Sequence, residues 1–388
     1  MNLEKMILKN VREMPPSGIR KYFDLINEMD DVISLGVGEP DFVTPWNVIE
    51  AGIYSLEKGH THYSSNAGYI ELRNEISNYL NRKFNLKYDP KDEILVTVGG
   101  SEGIDLALRA LCGPGDEVII PEPSFVAYKG CTTFCGATPV TINLRKEDEF
   151  KLTKELLEEA ITERTKVVVI PFPNNPTGAI MTREELKEIV DVLKDKDIII
   201  LSDEIYAELT YENQHVSIAS FEEVKDKTLV INGFSKAYAM TGWRLGYICG
   251  NRILIDAVKK IHQYAIMCSP TTAQFAAIEA LRNGDDSVRE MNREYNRRRR
   301  VLVDGFRSMG LECFEPLGAL YVFPSIKATG LSSDEFCEKL LMEERVLAIP
   351  GNAFGECGEG YIRACYASSM EDLLEAVKRI GRFVRKYM

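Results

Sequence analysis

Residues 234–247 read Phe-Ser-Lys-Ala-Tyr-Ala-Met-Thr-Gly-Trp-Arg-Leu-Gly-Tyr, and one glycine separates them from the apolar run Thr-Leu-Val-Ile-Asn at 228–232. The apolar run predicts a buried strand, so Lys236 stands beside Ser235 just past a strand end. A lysine is seldom buried without a role, because removing an ammonium group from water is costly. A lysine in such a place loses its proton easily and can form a Schiff base with an aldehyde. A serine–lysine pair alone is typical of a surface turn, and it is the tail after Lys236 that makes this segment informative.

Similar apolar runs recur along the chain and alternate with helical patterns. They lie at 94–98, 118–120, 167–170, 198–201 and 228–232. Unbroken apolar strands that alternate with helices predict an α/β fold with a mostly parallel sheet covered on both faces. Ligands of such sheets bind at the carboxyl ends of the strands. We therefore expect the functional residues where these runs end.

The composition is that of an ordinary soluble protein long enough for two domains. The chain has 388 residues, 45% of them hydrophobic and 27% charged, and a net charge of −12 with a pI near 5.1. An acidic surface argues against nucleic acid or an anionic membrane as partners. No apolar run approaches the roughly 20 residues that span a bilayer. The first 17 residues carry several charges and do not resemble a signal peptide, so a cytoplasmic location is expected.

The cysteines and histidines do not predict a metal site. There are nine cysteines without a Cys-x-x-Cys pair, and only four histidines. Cys131 and Cys135 are one helical turn apart and could suggest a metal clip, but small buried side chains in a reducing cytosol explain them better. We predict no bound metal.

The composition of the sequence changes beyond residue 280. Residues 282–309 are dense in charge and include four consecutive arginines at 297–300. This run could suggest a nucleic-acid site, but a long solvated helix with paired charges is the better interpretation. We predict that this helix joins a large domain, 45–280, to a small α+β domain made of 1–44 and 281–388. Residues 17–29 are predicted to form a short amphipathic helix.

Two motifs at strand ends suggest charged ligands. Gly99, Gly100, Ser101 and Glu102 lie between a strand and a helix, where backbone N–H groups bind anions and glycines allow close approach. Asp203 follows the run at 198–201, and a carboxylate at the end of a buried strand needs a cation. By themselves the first motif is a common turn, and Asp203 could equally cap the next helix.

Taken together, the motifs resemble those of the class I/II aminotransferases, which are pyridoxal phosphate enzymes of fold type I. The resemblance is carried by 234–247, by Ser-Asp-Glu-Ile-Tyr at 202–206 and by Pro-Asn-Asn-Pro-Thr-Gly at 173–178. It extends from Gly38 to Arg363 in the family's order, and it is strongest to the subgroup of aromatic, aspartate and N-acetyl-diaminopimelate aminotransferases. It implies a large domain with a mostly parallel seven-stranded sheet between helices, a smaller α+β domain, and a homodimer with shared active sites.

The resemblance also assigns catalytic and cofactor-binding roles to named residues. Lys236 would hold pyridoxal 5'-phosphate covalently and, once freed, move a proton between the substrate Cα and the cofactor. Asp203 would pair with the pyridine nitrogen, and Tyr206 and Asn175 would donate to the phenolic oxygen. Phe125 would stack on the ring.

The phosphate and the substrate would be held by a second group of residues. Those implied for the phosphate are Gly100, Ser101, Glu102, Ser235, Arg244 and, from the neighbouring subunit, Tyr63. Those implied for the substrate are Gly38, Asn175 and Arg363, with Arg363 gripping the α-carboxylate in a two-pronged pair.

The amino donor is the least determined feature. The expected reaction moves an amino group from an L-amino acid to a 2-oxo acid such as 2-oxoglutarate by a ping-pong mechanism, and the donor is aromatic, dicarboxylic or an acylated diamino acid. Some aspartate-specific relatives carry a lysine where this chain has Ser101, which disfavours dedicated aspartate specificity. Ile19, Tyr321 and Phe354 are candidate pocket residues for a long side chain, although each could simply pack in the core.

Other functions fit parts of the sequence. Gly-Gly-Ser-Glu-Gly at 99–103 matches the nucleophile elbow of an α/β-hydrolase with Ser101 as nucleophile, but only His215 and His262 follow, and neither lies near the C-terminus. A transcription regulator with this cofactor domain would need a longer N-terminal module. A C–S β-lyase or a decarboxylase on the same fold is not excluded by the residues.

Overall fold

The computed structural model of the protein describes residues 3–16 and 29–388. The amphipathic helix predicted over 17–29, with Ile19, lies outside these described residues except for Met29. Twelve strands are described: β1 Ile33–Ser34, β2 Ile94–Thr97, β3 Glu117–Glu122, β4 Thr138–Asn143, β5 Thr165–Ile170, β6 Ile199–Asp203, β7 Thr228–Gly233, β8 Gly246–Cys249, β9 Tyr321–Val322, β10 Val346–Leu347, β11 Ile349–Pro350 and β12 Ile362–Cys365.

Seven of these strands form a central sheet in the order β2-β8-β7-β6-β5-β3-β4. Six run parallel, and only β8 is antiparallel to both of its neighbours. The α/β class and the mostly parallel seven-stranded sheet are therefore confirmed. All five apolar runs form strands of this sheet. Strand β4 was not predicted, because it is a largely exposed edge strand and lacks an apolar run.

Within the described ranges, thirteen α-helices surround the sheets: α1 Lys9–Arg12, α2 Trp46–Glu57, α3 Ile70–Phe84, α4 Gly100–Leu111, α5 Ala127–Phe134, α6 Lys154–Ala160, α7 Arg183–Leu193, α8 Glu222–Lys225, α9 Arg252–Ala265, α10 Thr271–Asn283, α11 Asp285–Ser308, α12 Ser333–Glu344 and α13 Met370–Val384. Local sequence sets their ends. Helix α7, for example, begins at a reciprocal capping box between Thr182 and Glu185 and buries an apolar face. None of the helices in the described part is both long enough and apolar enough to cross a membrane.

The long helix predicted over 282–309 is α11, and it begins at Asp285. Gly284 separates it from α10, and a Cβ at Gly284 would lie 2.4 Å from the carbonyl oxygen of Ala280. The predicted solvated face needs correction, because two of its four consecutive arginines are buried. Arg298 binds Asp41 at 2.8 Å, and Arg299 is fully enclosed and donates to the carbonyl oxygen of Pro316 at 2.9 Å.

The two ends of the chain meet beside the central sheet. Strand β1 pairs in parallel with β10, and β11, β12 and β9 form a separate antiparallel sheet, which we call the C-terminal sheet. This pairing agrees with the predicted grouping of the N-terminal segment with the C-terminal part of the chain. The proposed boundaries, 45–280 against 1–44 with 281–388, stay a prediction.

Candidate active site

A cavity of about 370 Å³ lies where β6 and β7 end and the C-terminal sheet approaches the central sheet. It is lined by eleven of the residues to which the resemblance assigned a catalytic or binding role: Gly38, Gly100, Ser101, Phe125, Asn175, Asp203, Tyr206, Ser235, Lys236, Arg244 and Arg363. These residues span more than 300 positions of the chain. The fold thus brings most of the predicted site residues into one space, as expected for the carboxyl ends of parallel strands.

Lys236 follows β7 and lies in this cavity. Burial lowers the pKa of its ammonium group to about 8. Its Nζ donates to the carbonyl oxygen of Gly38 at 2.5 Å and lies 5.9 Å from the ring centroid of Tyr206. A lysine with this pKa is partly neutral near pH 8 and can act there as a nucleophile or a base.

Asp203 is the last residue of β6 and is buried. Its Oδ2 accepts a hydrogen bond from the hydroxyl of Tyr128 at 2.7 Å, and its Oδ1 accepts one from the backbone of Ile205 at 3.2 Å. No cationic side chain within the described ranges pairs with it, and burial raises the pKa of its carboxyl group to about 6. A buried carboxylate without a cation suits a ligand that brings a positive charge or an N–H group.

Tyr128 is a site residue that the sequence reasoning missed. It lies in the first turn of α5, is fully buried, and contacts the edge of the Phe125 ring at 5.8 Å between centroids. Its distance of 75 positions from Asp203 hides the contact in the sequence. The one available signal was its position three residues after Phe125, on the same side of the coming helix.

Arg363 lies on β12 between two aromatic rings. Its Cζ is 4.4 Å from the ring centroid of Tyr321 and 4.7 Å from that of Phe354. Its Nη atoms donate to Asn175 Oδ1 at 2.9 Å and to the Gly36 carbonyl oxygen at 2.6 Å. Its Nε has no partner, and no carboxylate of the described residues pairs with it. A buried guanidinium in this condition is suited to an incoming carboxylate.

Tyr321 and Phe354 had been candidates for either pocket or core. Tyr321 lines the cavity, and its hydroxyl lies 2.7 Å from that of Tyr206. Phe354 does not line the cavity but packs on Arg363. Both side chains therefore shape the surroundings of the predicted carboxylate site.

The glycine turn before α4 lies against Arg244. Gly99 has φ +78°, and a Cβ built on it would lie only 2.8 Å from Arg244 Nη2. Arg244 donates to the Thr241 carbonyl oxygen at 3.0 Å and has no carboxylate partner among the described residues. The helix N-terminus, the hydroxyls of Ser101 and Ser235 and this guanidinium form a cup for an anion such as a phosphate.

Two predicted site residues lie outside the cavity lining. The carboxylate of Glu102 turns back to accept from the Val98 N–H and from His262 Nδ1 at 2.8 Å, so only its backbone N–H is left to contribute to an anion site. The side chain of Tyr63 is 79% exposed. Its predicted role in the active site of a neighbouring subunit stays a prediction.

The arrangement does not assemble a hydrolase triad around Ser101. No histidine of the described residues lines the cavity, and His262 is engaged by Glu102. A serine nucleophile of this triad needs a histidine beside it, and Ser101 has none among the described residues. What the cavity does offer is a lysine of lowered pKa, an unpaired carboxylate and two guanidinium groups without carboxylate partners, a set that fits pyridoxal phosphate and an amino acid.

Comparisons with known proteins agree with this geometry. The family described as "Aminotransferase class I and II" matches residues 30–380. The putative aminotransferase YugH of Bacillus subtilis is 53% identical over 376 residues and covers 97% of both chains, and the probable N-acetyl-LL-diaminopimelate aminotransferase of the same organism is 43% identical over 99% of this chain and 97% of its own. Among solved structures, the aspartate aminotransferase from Thermus thermophilus with maleate superposes with a TM-score of 0.92 at 36% identity, covering 97% of this chain and 99% of its own.

Proposed function

The chain belongs to the class I and II aminotransferases, and we propose that it moves the amino group of an L-amino acid to 2-oxoglutarate with pyridoxal phosphate held in the cavity around Lys236. The observation that carries this proposal is the single cavity in which a lysine with a pKa of about 8 lies with Asp203 and Arg363, whose charges have no ionic partner among the described residues. Two half-reactions through this one cavity give a ping-pong cycle.

The residues that would hold the cofactor follow from their charges. Arg244, Ser101, Ser235 and the N-terminus of α4 would bind the phosphate, and Asp203 would accept from the pyridine nitrogen. When bound, the cofactor supplies an aldehyde for the amine and a ring that withdraws electrons from the substrate Cα. A cation beside Asp203 would lower the pKa of that carboxyl group from about 6 and keep it ionised.

Lys236 would move the proton. Its neutral amine can take a proton from the substrate Cα, and the lowered pKa provides that neutral form near physiological pH. The Gly38 carbonyl oxygen, 2.5 Å from Nζ, fixes the amine at the floor of the cavity. Arg363 would hold the α-carboxylate, exchanging part of its contacts with Asn175 and Gly36 for the stronger charged pair.

The lining of the cavity suggests a donor with an aromatic or long uncharged side chain. The rings of Phe125, Tyr128 and Tyr321 face it, and its only cations among the described residues are Lys236, Arg244 and Arg363, which already have roles.

A homodimer with shared sites is part of the proposal. Large apolar side chains on α2, in the loop after it and near the end of α9 are exposed: Trp46 67%, Tyr54 56%, Tyr63 79% and Tyr264 89%. Burial of such a surface against a second copy would remove it from water. All nine cysteines are free thiols, which suits the proposed cytoplasmic location.

The experiment combines an absorbance scan with a donor panel. Purified protein incubated with pyridoxal phosphate should show an absorbance band that bleaches with an amino donor and returns with 2-oxoglutarate, while glutamate accumulates. Phenylalanine, tyrosine, N-acetyl-LL-diaminopimelate and aspartate are compared, and the two aromatic donors should exceed the other two, which both carry a second carboxylate. Release of pyruvate with ammonia or a thiol, without glutamate, would support the β-lyase instead, and carbon dioxide release would support the decarboxylase.

A further inference from the structure

Tyr321 connects three parts of the cavity that the proposed function uses separately. It lies on β9 of the C-terminal sheet and is 1% exposed. Its hydroxyl contacts the hydroxyl of Tyr206 and the carbonyl oxygen of Gly38, and the guanidinium of Arg363 lies over its ring. Resting on the proposed function, we propose that Tyr321 is a positioning residue that orders the hydroxyl of Tyr206 and transmits the charge state of Arg363 to the phenolic oxygen of the cofactor.

The direction of the hydrogen bonds follows from counting protons. The two hydroxyl oxygens lie 2.7 Å apart, and both side chains are buried. Each hydroxyl has one proton, and Tyr206 would use its own to donate to the cofactor's phenolic oxygen. Tyr206 must then accept from Tyr321, so the donors run from Tyr321 to Tyr206 to the cofactor. In a chain of this kind each bond polarises the next.

Tyr321 has no better partner for its proton. The Gly38 carbonyl oxygen is 3.4 Å away, at the limit of a hydrogen bond, and Lys236 already donates to it at 2.5 Å. A Cβ on Gly38 would lie 2.3 Å from the Tyr321 hydroxyl, so the loop packs directly against that oxygen. The hydroxyl is therefore held in place and directed at Tyr206.

Arg363 makes Tyr321 a better donor. Its guanidinium lies 4.4 Å from the ring centroid and lowers the pKa of the Tyr321 phenol, although burial, the larger effect, raises that pKa to about 12. A substrate carboxylate on Arg363 would cancel most of this charge and weaken the donor. Binding of a substrate carboxylate to Arg363 would therefore make the phenolic oxygen of a bound cofactor more basic, through Tyr321 and Tyr206.

A nearby tyrosine provides a matched comparison. The hydroxyl of Tyr366, one residue past β12, lies 2.8 Å from the Ala319 carbonyl oxygen and 3.0 Å from the Tyr211 hydroxyl, and Tyr366 does not line the cavity. Both tyrosines are fully buried in the same part of the fold. Removing either hydroxyl deletes one oxygen atom from the core, but only Tyr321 should affect the cofactor.

The test is a pH titration of the absorbance of the cofactor-loaded protein, with Tyr321→Phe compared with wild type and Tyr366→Phe. A weaker donor leaves the phenolic oxygen more basic, so the titration midpoint of Tyr321→Phe should rise by about 0.5 pH unit, the size of a modest neutral hydrogen bond. The midpoint of Tyr366→Phe should stay within about 0.1 pH unit of wild type. The free energy of unfolding should nevertheless fall by a similar amount in Tyr366→Phe and in Tyr321→Phe.

A double variant separates positioning from general disturbance. In a Tyr206→Phe background, the further change Tyr321→Phe should no longer move the midpoint, because the residue through which it acts is gone. Saturating wild type with a non-reacting dicarboxylate such as maleate should shift its midpoint upward, and Tyr321→Phe should show a smaller shift. Tyr321→Met, which also lacks the hydroxyl, replaces the phenylalanine variant if that protein does not fold.

Each outcome is decisive. An unchanged midpoint in both hydroxyl-free variants, equal shifts for Tyr321 and Tyr366, or an effect that persists without Tyr206 would overturn the proposal while leaving the aminotransferase function intact. Wild-type protein that binds no pyridoxal phosphate would overturn the proposed function itself, and the positioning role with it.

Discussion

Asp203 lies in surroundings that favour a ligand with a positive charge or an N–H group. Its carboxyl group is buried with a pKa of about 6, above the ordinary value of 3.8, and in the folded protein its partners are a tyrosine hydroxyl and a backbone N–H. The unfolded chain therefore binds fewer protons than the folded one between about pH 4 and 6. It follows that folding loses stability as pH rises through this window and carries the full penalty above it.

Asp203→Asn should therefore stabilise the cofactor-free protein. The gain should be on the order of 1–3 kcal/mol at pH 8 and should fall towards zero as the pH approaches 4. Thermal unfolding of the two cofactor-free proteins at several pH values measures it, with the exposed Asp286→Asn as control. A gain independent of pH would contradict the role given to the carboxylate charge. Unlike wild type, the variant should gain little stability from added pyridoxal phosphate.

The lowered pKa of Lys236 predicts how the rate of cofactor capture depends on pH. With a pKa of about 8, the neutral fraction of its amine grows about tenfold per pH unit below 8 and levels off above it. The rate at which cofactor-free protein captures pyridoxal should follow the same curve, measured by rapid mixing and absorbance. Lys236→Ala should abolish the fast phase, and Lys259→Ala on α9 should leave it intact. A rate that still climbs steeply between pH 9 and 10 would point to an ordinary surface lysine.

The residues predicted from sequence and those that escaped prediction differ in a physical way. Asp203 is the last residue of β6, and Lys236 and Asn175 lie in the loops that follow β7 and β5, so the apolar runs before them indicate which edge of the sheet they occupy. Tyr128 acts through a contact made when α5 crosses the strand ends, and nothing local encodes that crossing. Glu102 fits the motif, but its carboxylate pairs with His262, 160 positions away, and so leaves the cavity.

At the level of secondary structure elements, the turn between β2 and α4 carries the anion site. Gly99→Ala places a methyl group 2.8 Å from Arg244 Nη2 and forces an alanine to adopt φ +78°. We expect the dissociation constant for pyridoxal phosphate to rise about 10–100-fold, with a much smaller change for pyridoxal, because the displaced guanidinium belongs to the proposed phosphate site. Fluorescence or absorbance titration of cofactor-free protein measures both constants.

Gly59→Ala is the control for this change. Gly59 has nearly the same backbone angle, φ +74°, but nothing lies within 4 Å of its Cβ position. It shares the conformational strain of Gly99 without the contact, so its loss of stability should be similar, about 1 kcal/mol, and its cofactor affinity normal. Equal losses of affinity in both variants would mean that backbone strain, not the Arg244 contact, weakens binding.

Elements with strong local signals were predictable, and those that depend on their neighbours were not. Helix α7 combines a capping box with an apolar face, and the central strands are continuous apolar runs. The edge strand β4 forms because β3 offers it unpaired backbone groups. The break before α11 depends on Gly284 packing closely against α10 and Tyr238, which charge density alone does not indicate.

For the whole molecule, the exposed apolar side chains on α2 and α9 predict association with a second copy. Trp46→Glu combined with Tyr264→Glu should convert a dimer into monomers, because two charges would have to be buried in the proposed interface. Light scattering after gel filtration measures the mass. Met342→Glu on α12, which removes a lone side chain of similar exposure (67%), should leave the mass unchanged. If wild-type protein were monomeric, the proposal that two subunits share each active site would be wrong.

The hydrogen bond between Arg363 and the Gly36 carbonyl oxygen joins residues 327 positions apart, and β1 pairs with β10 nearby. During synthesis on a ribosome, the β-strands of the central sheet emerge long before Arg363 does. A nascent chain could therefore build the anion cup early but could not grip a substrate until β12 had been released. Newly made protein should therefore gain the proposed phosphate site before it gains the proposed site for a substrate carboxylate.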